Sequence, residues 1–382
     1  MKLRNLLKKQ PAFSAGIQTA PKEKSVTGLM SRYVPLMPPD ARLMAAMRQG
    51  IPLLDAAIDK IVRLVGEFEV TCSDKAIQRE LNSFLRTVKV GASSEGINSF
   101  VSAYLDQMLM YGTAVGEMVL SADGTDITAL YNAPLDNLEL RANDTPFDVT
   151  VCIRSHGKSV AAPYQRLIVH TALKPEAGKV TGNSLMRGLP FVSNILMKIY
   201  DCIGANFERV GNLRYAVTYK PDADGADRFN AAQRAAQIAE QWSSAMKSDE
   251  VRDFVAVGNV EIKAIGADSQ MLSTEVPVRQ MLEQIVAKTG LPPFLLGLSW
   301  SSTERMSSQQ ADLFTSELEY YRSLLTPMIA RICDMWLRLH GYGDGFKVVW
   351  QPINLQDEIS MAQARLYRAQ AMQIEASLKG EE

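Results

Sequence analysis

The chain is poor in cysteine. Its 382 residues hold four, Cys72, Cys152, Cys202 and Cys333, far apart and with no C-x-x-C pair. That excludes a disulfide-stapled scaffold and a cysteine-built zinc module, and leaves reduced, buried thiols as the reading. Histidine is rarer still: His156, His170 and His340 stand apart in sequence, which thins metal and acid–base chemistry from the outset. Neither sign of charge is in excess, since 41 Lys and Arg face 42 Asp and Glu. A protein that holds nucleic acid tightly by its phosphates ordinarily carries a basic surplus. No stretch approaches the roughly eighteen uncharged apolar residues of a membrane-spanning helix. The basic start, Met1-Lys-Leu-Arg-Asn-Leu-Leu-Lys-Lys-Gln, has no apolar core and cleavage site behind it, so no export signal is expected.

What is present is the composition of a folded chain, 47% hydrophobic and 22% charged, with enough length for one large domain or two to three smaller ones. Residues 1–45 are rich in Pro, Lys and Ser with little periodicity. Pro11, Pro21, Pro35, Pro38 and Pro39 interrupt any regular element, and a mobile arm is expected through residue 49. From Pro52 the pattern becomes regular. Leu53, Ala57, Ile61 and Leu64 lay an apolar stripe along a helix, followed by a strand around Glu67–Thr71. A second helix spans Asp74–Thr87 with Asp74 as its N-cap. A third spans Asn98–Tyr111, with Val101, Tyr104, Leu105 and Met108 on one side.

The period then changes to that of strands. Thr113–Ser121, a turn at Asp123-Gly124 and Ile127–Tyr131 predict a hairpin, with further strands at Leu138–Arg141, Asp148–Arg154 and Arg166–Thr171. The class is α+β with antiparallel strands. After a Gly-rich loop, Gly178–Gly188, a helix runs from Pro190 to about Val210. A small segment follows, with a strand Leu213–Tyr219, an Ala-rich helix Asn230–Met246 and strands near Phe254–Val257 and Val260–Ile265. Another helix spans about Met271–Thr289. Last comes a seam in steps of four and three, Phe314, Leu318, Tyr321, Leu325, Met328, Ile332, Met335 and Leu339, on one helix of over thirty residues. Pro327 lacks the N–H for the Ser323 carbonyl and crowds that turn, so a kink is expected. So long a seam favours packing along an extended body or a neighbouring subunit. A strand Phe346–Trp350 and a polar helix Asp357–Leu378 close the chain.

A search for catalytic constellations returns little. There is no Gly-x-x-x-x-Gly-Lys-Ser/Thr loop to cradle phosphates. Gly341-Tyr-Gly-Asp-Gly345 follows a helix instead of opening one and reads as a helix C-terminal turn. The Asp222–Asp227 stretch has its glycine misplaced for a calcium loop and no bidentate Glu after it. Ser244-Ala-Met-Lys247 matches a nucleophile pattern short enough to arise by chance. His170 sits in an alternating strand as a structural residue. Asp201 and Glu208 share one solvated helix face. No enzyme, metal or cofactor is expected.

One region is more specific. Glu275-Val-Pro-Val-Arg279, then Gly290-Leu-Pro292-Pro293-Phe-Leu-Leu-Gly297, a Ser/Thr loop, and a long helix containing Leu325-Thr-Pro327 resemble the portal proteins of tailed bacteriophages. Upstream, Leu109-Met-Tyr-Gly112-Thr-Ala resembles that family's step from helix into strand. Gly182-Asn-Ser184-Leu-Met-Arg-Gly-Leu-Pro190 and Phe207-Glu-Arg-Val-Gly211 resemble the start and end of its stem helix. The signals run in the family's order over roughly residues 50–355.

The resemblance implies a ring, usually of twelve subunits, at one capsid vertex, with double-stranded DNA passing through a central tunnel. It implies docking of the terminase large subunit and later of head–tail adaptors, contact with the major capsid or scaffolding protein, and no membrane. By segment, 50–188 resembles the wing, 189–212 a stem helix, 213–266 the clip, and 267–297 a second stem helix. Residues 298–350 would hold the tunnel loop, the kinked helix and a return strand, and 351–382 a short crown. The loop expected to face DNA is Ser299, Trp300, Ser301, Ser302, Thr303, Glu304 and Arg305. The seam from Phe314 to Met335 is expected between subunits. Two rival readings stand beside this one: a head-completion or capsid-associated connector without a tunnel role, and a hydrolase with scattered catalytic residues.

Overall fold

A computed structural model of the chain describes residues 33–143, 149–155, 158–211, 214–220, 225–246, 260–265, 274–298, 304–343, 345–353, 355 and 370. The chain divides into two compact units, Met1–Val192 with Glu283–Glu382, and Ser193–Leu282.

The larger unit begins earlier than the sequence predicts. Residues 33–49 are folded, not part of a mobile arm. Strand β1 (Tyr33–Pro35) pairs antiparallel with β7 (Leu138–Ala142), and Leu36 is buried in the core beside Leu140 and Val151. Helix α1 (Ala41–Gly50) buries Ala41, Met44 and Met47. Its Arg48 reaches three carboxylates at 2.6–3.0 Å, Asp55 and Asp59 of α2 (Pro52–Leu64) and Asp106 of α4 (Ile97–Tyr111). Pro35 ends β1, and Pro38 and Pro39 lie between β1 and α1.

In α2 the buried stripe is Leu54, Ala57, Ile58 and Ile61, one residue round from the predicted one. Strand β2 (Phe68–Cys72) follows, then α3 (Lys75–Thr87), whose N-cap Asp74 accepts the Ala76 N–H at 2.6 Å. Helix α4 buries Phe100, Val101, Tyr104, Leu105, Met108 and Leu109. It lies on a five-stranded sheet ordered β10 (Ile168–Ala172), β5 (Thr113–Leu120), β6 (Ile127–Asn132), β3 (Lys89–Val90), β4 (Ser94–Glu95). The β5–β6 hairpin is antiparallel, with Met118 opposite Leu130, and β3 runs parallel to β6. A second sheet, β1-β7-β8-β9, adds β8 (Val149–Ser155) and β9 (Lys158–Ala161). Leu36, Val115, Leu135, Leu140 and Val151 form a core cluster that draws on both sheets.

The glycines of the motif between α4 and β5 have a steric reason. Gly112 ends α4 at φ 79°, a left-handed conformation costly for any residue with a Cβ. A Cβ there would lie 2.6 Å from the Gly182 carbonyl, and one on Gly182 would lie 2.1 Å from the Gly112 carbonyl. The two segments cross backbone against backbone. Leu173 N–H donates to the Gly112 carbonyl, Asn183 N–H to that of Leu173, and Leu185 N–H to that of Leu109. The buried Ser184 hydroxyl turns to the α4 carbonyls of Leu109 and Met110 and accepts the Met186 N–H. The segment before the next helix is thus strapped to the end of α4.

Helix α5 (Leu189–Gly211) leads into the smaller unit. Strand β11 (Arg214–Tyr219) there pairs antiparallel with β12 (Val260–Ile265), beside α6 (Gly225–Met246). The predicted strand near Phe254–Val257 lies outside the described residues. Helix α7 (Glu275–Thr289) leads back, and α8 (Glu304–Leu339) and β13 (Phe346–Trp350) complete the larger unit, β13 pairing with β2.

Candidate functional site

The candidate site is the turn between α7 and α8 together with the first turns of α8. Helix α7 ends where Gly290 takes φ 71°, its N–H bonded to the Val286 carbonyl at 2.9 Å. Leu291 and Pro292 are buried. Pro292 and Pro293 then open a 3-10 turn over Pro293–Leu296, at positions where a missing N–H costs nothing, and that turn packs against α2. Gly297, at φ 74°, closes it with its N–H on the Phe294 carbonyl, and Leu298 N–H reaches the Pro293 carbonyl. The four motif residues Gly290, Pro292, Pro293 and Gly297 therefore form one rigid bend anchored in the larger unit.

Of the predicted loop, Ser299, Trp300, Ser301, Ser302 and Thr303 lie outside the described residues. Glu304 opens α8, and Arg305 and Met306 are exposed in its first turn. The first buried residues of α8 are Ala311 and Phe314, so the helix emerges for nearly two turns before it meets the core.

Helix α8 is 36 residues long, with Pro327 inside it. Pro327 is exposed, and the neighbouring Thr326 hydroxyl donates to the Arg322 carbonyl at 2.7 Å. The seam does not lie between subunits as the sequence predicts. Phe314, Leu318, Tyr321, Leu325, Met328 and Ile332 are 0–4% exposed within the single chain, and Met335 is half-buried. They face the chain's own elements, since α8 packs on β10, β13 and α3. Burial pushes the Tyr321 phenol well above its ordinary range. A four-three spacing marks the buried side of a helix; it does not say whose surface buries it.

Sequence reasoning missed the residue that fixes α8. Arg322 is buried, and its Nε and Nη2 both donate to the Val65 carbonyl just past α2, at 2.8 and 2.7 Å. Nη1 pairs with Glu319, and the guanidinium lies 5.2 Å from the centroid of the Trp350 ring, whose N–H donates to Thr326. One arginine in an amphipathic pattern carries no signal of this kind. At the far end, Trp336 stacks on Phe84 and His340, and Gly341, at φ 76°, turns the chain out of the helix as predicted.

The remaining chemistry-bearing residues are dispersed. His170 in β10 has its Nε2 buried without a partner, and burial pushes its pKa down to about 4. Asp201 and Glu208 are exposed on α5. Asp222 and Lys247 lie outside the described residues. Among the described residues, no three His, Cys, Asp or Glu side chains are grouped to hold a metal ion. Among them, too, no helix is long and apolar enough to cross a membrane.

No protein-family model and no curated protein sequence matches the chain. Solved structures do. A chain from the neck of a native gene transfer agent particle, computed with C12 symmetry, superposes with a TM-score of 0.63 at 17% identity, over 90% of this chain and 94% of that one. The fold is that of a particle-neck chain. A chain from the neck of the empty particle, computed with C6 symmetry, gives 0.64 at 16% identity, over 90% and 93% of the two chains. The native gene transfer agent virion gives 0.62 at 14%, over 91% and 94%. The neck fold thus accounts for both units, and it agrees in class with the α+β portal-like architecture the motifs imply.

Proposed function

We propose that this chain is a portal subunit: a structural protein that forms a ring at one vertex of a tailed-phage-type particle and passes double-stranded DNA through its centre. The observation that carries this reading is the neck fold, shared over nine-tenths of the chain with a neck computed with C12 symmetry. The order of the portal-like motifs supports it. So does the Gly290–Gly297 bend, followed by an α8 whose first buried residue is Ala311.

The physical chemistry suits a conduit. DNA must slide, and phosphate capture by many cations would hold it; a net charge of −1 avoids that. The loop residues Ser299 to Arg305 offer small hydroxyls, one indole and one adjacent Glu–Arg pair, enough for wet, transient contact with a passing backbone. The chain lacks a phosphate-cradling motif, so the work of packaging falls to a separate motor. On this reading the terminase large subunit and later the head–tail adaptors dock on the smaller unit, the capsid or scaffolding protein contacts the larger one, and the assembled protein resides in the virion. The test is DNA packaging with Trp300→Ala and Arg305→Ala subunits. Rings of unchanged size should form, and DNA packaged or retained should fall several-fold. Unchanged packaging by both variants removes the loop from the tunnel.

A further inference from the structure

Strand β9 is the last of the sheet β1-β7-β8-β9, with no strand beyond it among the described residues. Ala162 N–H donates to the Val151 carbonyl of β8. The alternation of an antiparallel ladder therefore turns Val160 toward β8 as well, and leaves the N–H and C=O groups of Ser159 and Ala161 facing outward. The side chains beside that edge are apolar and bare. Ile153 and its cross-strand partner Val160 are 45% and 61% exposed, and Tyr164, just past β9, is 71% exposed. Ile153 and Tyr164 also line a cavity of about 90 Å³ between the two sheets, with Leu138, Val151 and Ile168 among its other walls. It has room for one apolar side chain. Glu117 is the only charged residue lining it, and it is exposed.

An open strand edge beside an apolar face and a pocket is built for strand addition. The added backbone completes the ladder and its alternate side chains fill the apolar surface. The chain carries a segment of that pattern outside the described residues. In Pro11-Ala-Phe-Ser-Ala-Gly-Ile-Gln-Thr-Ala-Pro21, Phe13, Ala15 and Ile17 alternate with Ser14, Gly16 and Gln18. A proline stands at each end, where an edge strand tolerates the missing N–H. The described chain begins at Tyr33 in β1, the opposite edge of the same sheet. From β1 to a place beyond β9 is four strand spacings, about 19 Å. The stretch from Thr19 to Tyr33 reaches up to about 46 Å when extended, so it spans that distance with slack. The charge agrees too: up to Lys24 the arm has six Lys and Arg against Glu23 alone, and the groove's one charge is the Glu117 carboxylate.

We propose that residues 13–17 add a fifth strand to this sheet along β9 of the same chain. Their backbone pairs with Ser159 and Ala161, and the Phe13, Ala15 and Ile17 side lies on Ile153, Val160 and Tyr164 with one apolar side chain in the cavity. The arm is then a strap over the sheet's open edge, and it hides a surface that would otherwise invite pairing between molecules. The inference stands independently of the portal reading, since it concerns one chain and one sheet.

The experiment is hydrogen exchange on the full-length chain as dissociated subunits, beside the double variant Phe13→Asp, Ile17→Asp. In the unsubstituted chain the Ser159 and Ala161 amides should exchange at least about 100-fold more slowly than in the variant, while the Ala162 amide, bonded to β8, keeps its rate within about threefold. The conservative pair Phe13→Leu, Ile17→Val should retain the protection. Fast exchange at Ser159 and Ala161 in the unsubstituted chain overturns the inference and leaves the edge to solvent or another protein. Slow exchange in both chains overturns it as well, because some other segment then covers β9. A photoreactive p-benzoylphenylalanine in place of Phe13 reads whose arm it is, in an equal mixture of ¹⁵N-labelled and unlabelled chains. Crosslinks to peptides holding Ile153, Val160 or Tyr164, always within one isotope, are expected. Mixed-isotope pairs place a second copy's arm on the edge and overturn the same-chain contact, and crosslinks confined to other sites overturn the contact altogether.

Discussion

Replacing Gly182 by alanine is expected to be among the most damaging small substitutions in this chain. The new Cβ would stand 2.1 Å from the Gly112 carbonyl oxygen and 2.3 and 2.5 Å from the Leu173 N and O, where ordinary contact begins at 3.4 Å. All three are backbone atoms, so no side chain can rotate away; the crossing must open by about 1 Å. Opening it breaks two hydrogen bonds, Leu173 N–H to the Gly112 carbonyl at 2.8 Å and Asn183 N–H to the Leu173 carbonyl at 2.7 Å. Leaving such groups unpaired costs about 1–3 kcal/mol each. The loss of backbone entropy in the unfolded alanine chain returns about 0.4–1 kcal/mol. The net expectation is a loss of about 3 kcal/mol, measured as a lower urea midpoint at unchanged slope on dissociated subunits. Gly188→Ala is the control: at φ 90° it carries backbone strain of about 1–2 kcal/mol, but a Cβ there meets nothing within 4 Å. If Gly182→Ala is no worse than Gly188→Ala, the close crossing does not exist.

Three further outcomes follow from the same structure. Arg322→Met should cost about 2–4 kcal/mol, because the Val65 carbonyl loses both donors and the space beneath Trp350 is refilled imperfectly; Arg322→Lys should recover only part of it, since an ammonium cannot make the forked contact. Tyr104→Phe should cost about 1 kcal/mol by deleting the hydroxyl's 2.9 Å bond to Thr171, read by thermal or urea unfolding. His170 should make stability fall in acid. Its folded pKa is pushed down to about 4 from the ordinary 6.5, so the unfolded chain takes up a proton first as pH drops. Stability conferred by the neutral ring is complete above 6.5 and declines toward pH 4, by about 3 kcal/mol at most, and His170→Gln should flatten that part of the wild-type slope.

The periodicities carried most of the elements. The Asp74 cap, α4 with its buried Tyr104 and Met108, the β5–β6 hairpin and the long α8 could all be read because each rests on local spacing. What local spacing does not contain is the identity of the opposing surface. The Phe314–Met335 seam has the same pattern whether it faces a neighbour or the chain's own β10 and β13, and its length suggested the wrong one. In α2, Leu53 and Leu54 both complete a helical stripe, and only the packing of α4 selects Leu54. The helix α1 was hidden by the prolines around it and by an anchor, Arg48, whose three carboxylates come from two other helices. Strand β9 has too few apolar residues to be seen alone and forms because β8 offers an edge. The site was legible in part. The glycines and prolines of the Gly290–Gly297 bend announce their conformations in sequence, while Arg322 acts on a carbonyl 257 residues away.

Electron microscopy of the purified full-length protein, with symmetry left unimposed, meets the central claim most directly. The expected result is closed rings of identical subunits around an open channel. A compact monomer that stays single as concentration rises, or a solid oligomer without a channel, would contradict it.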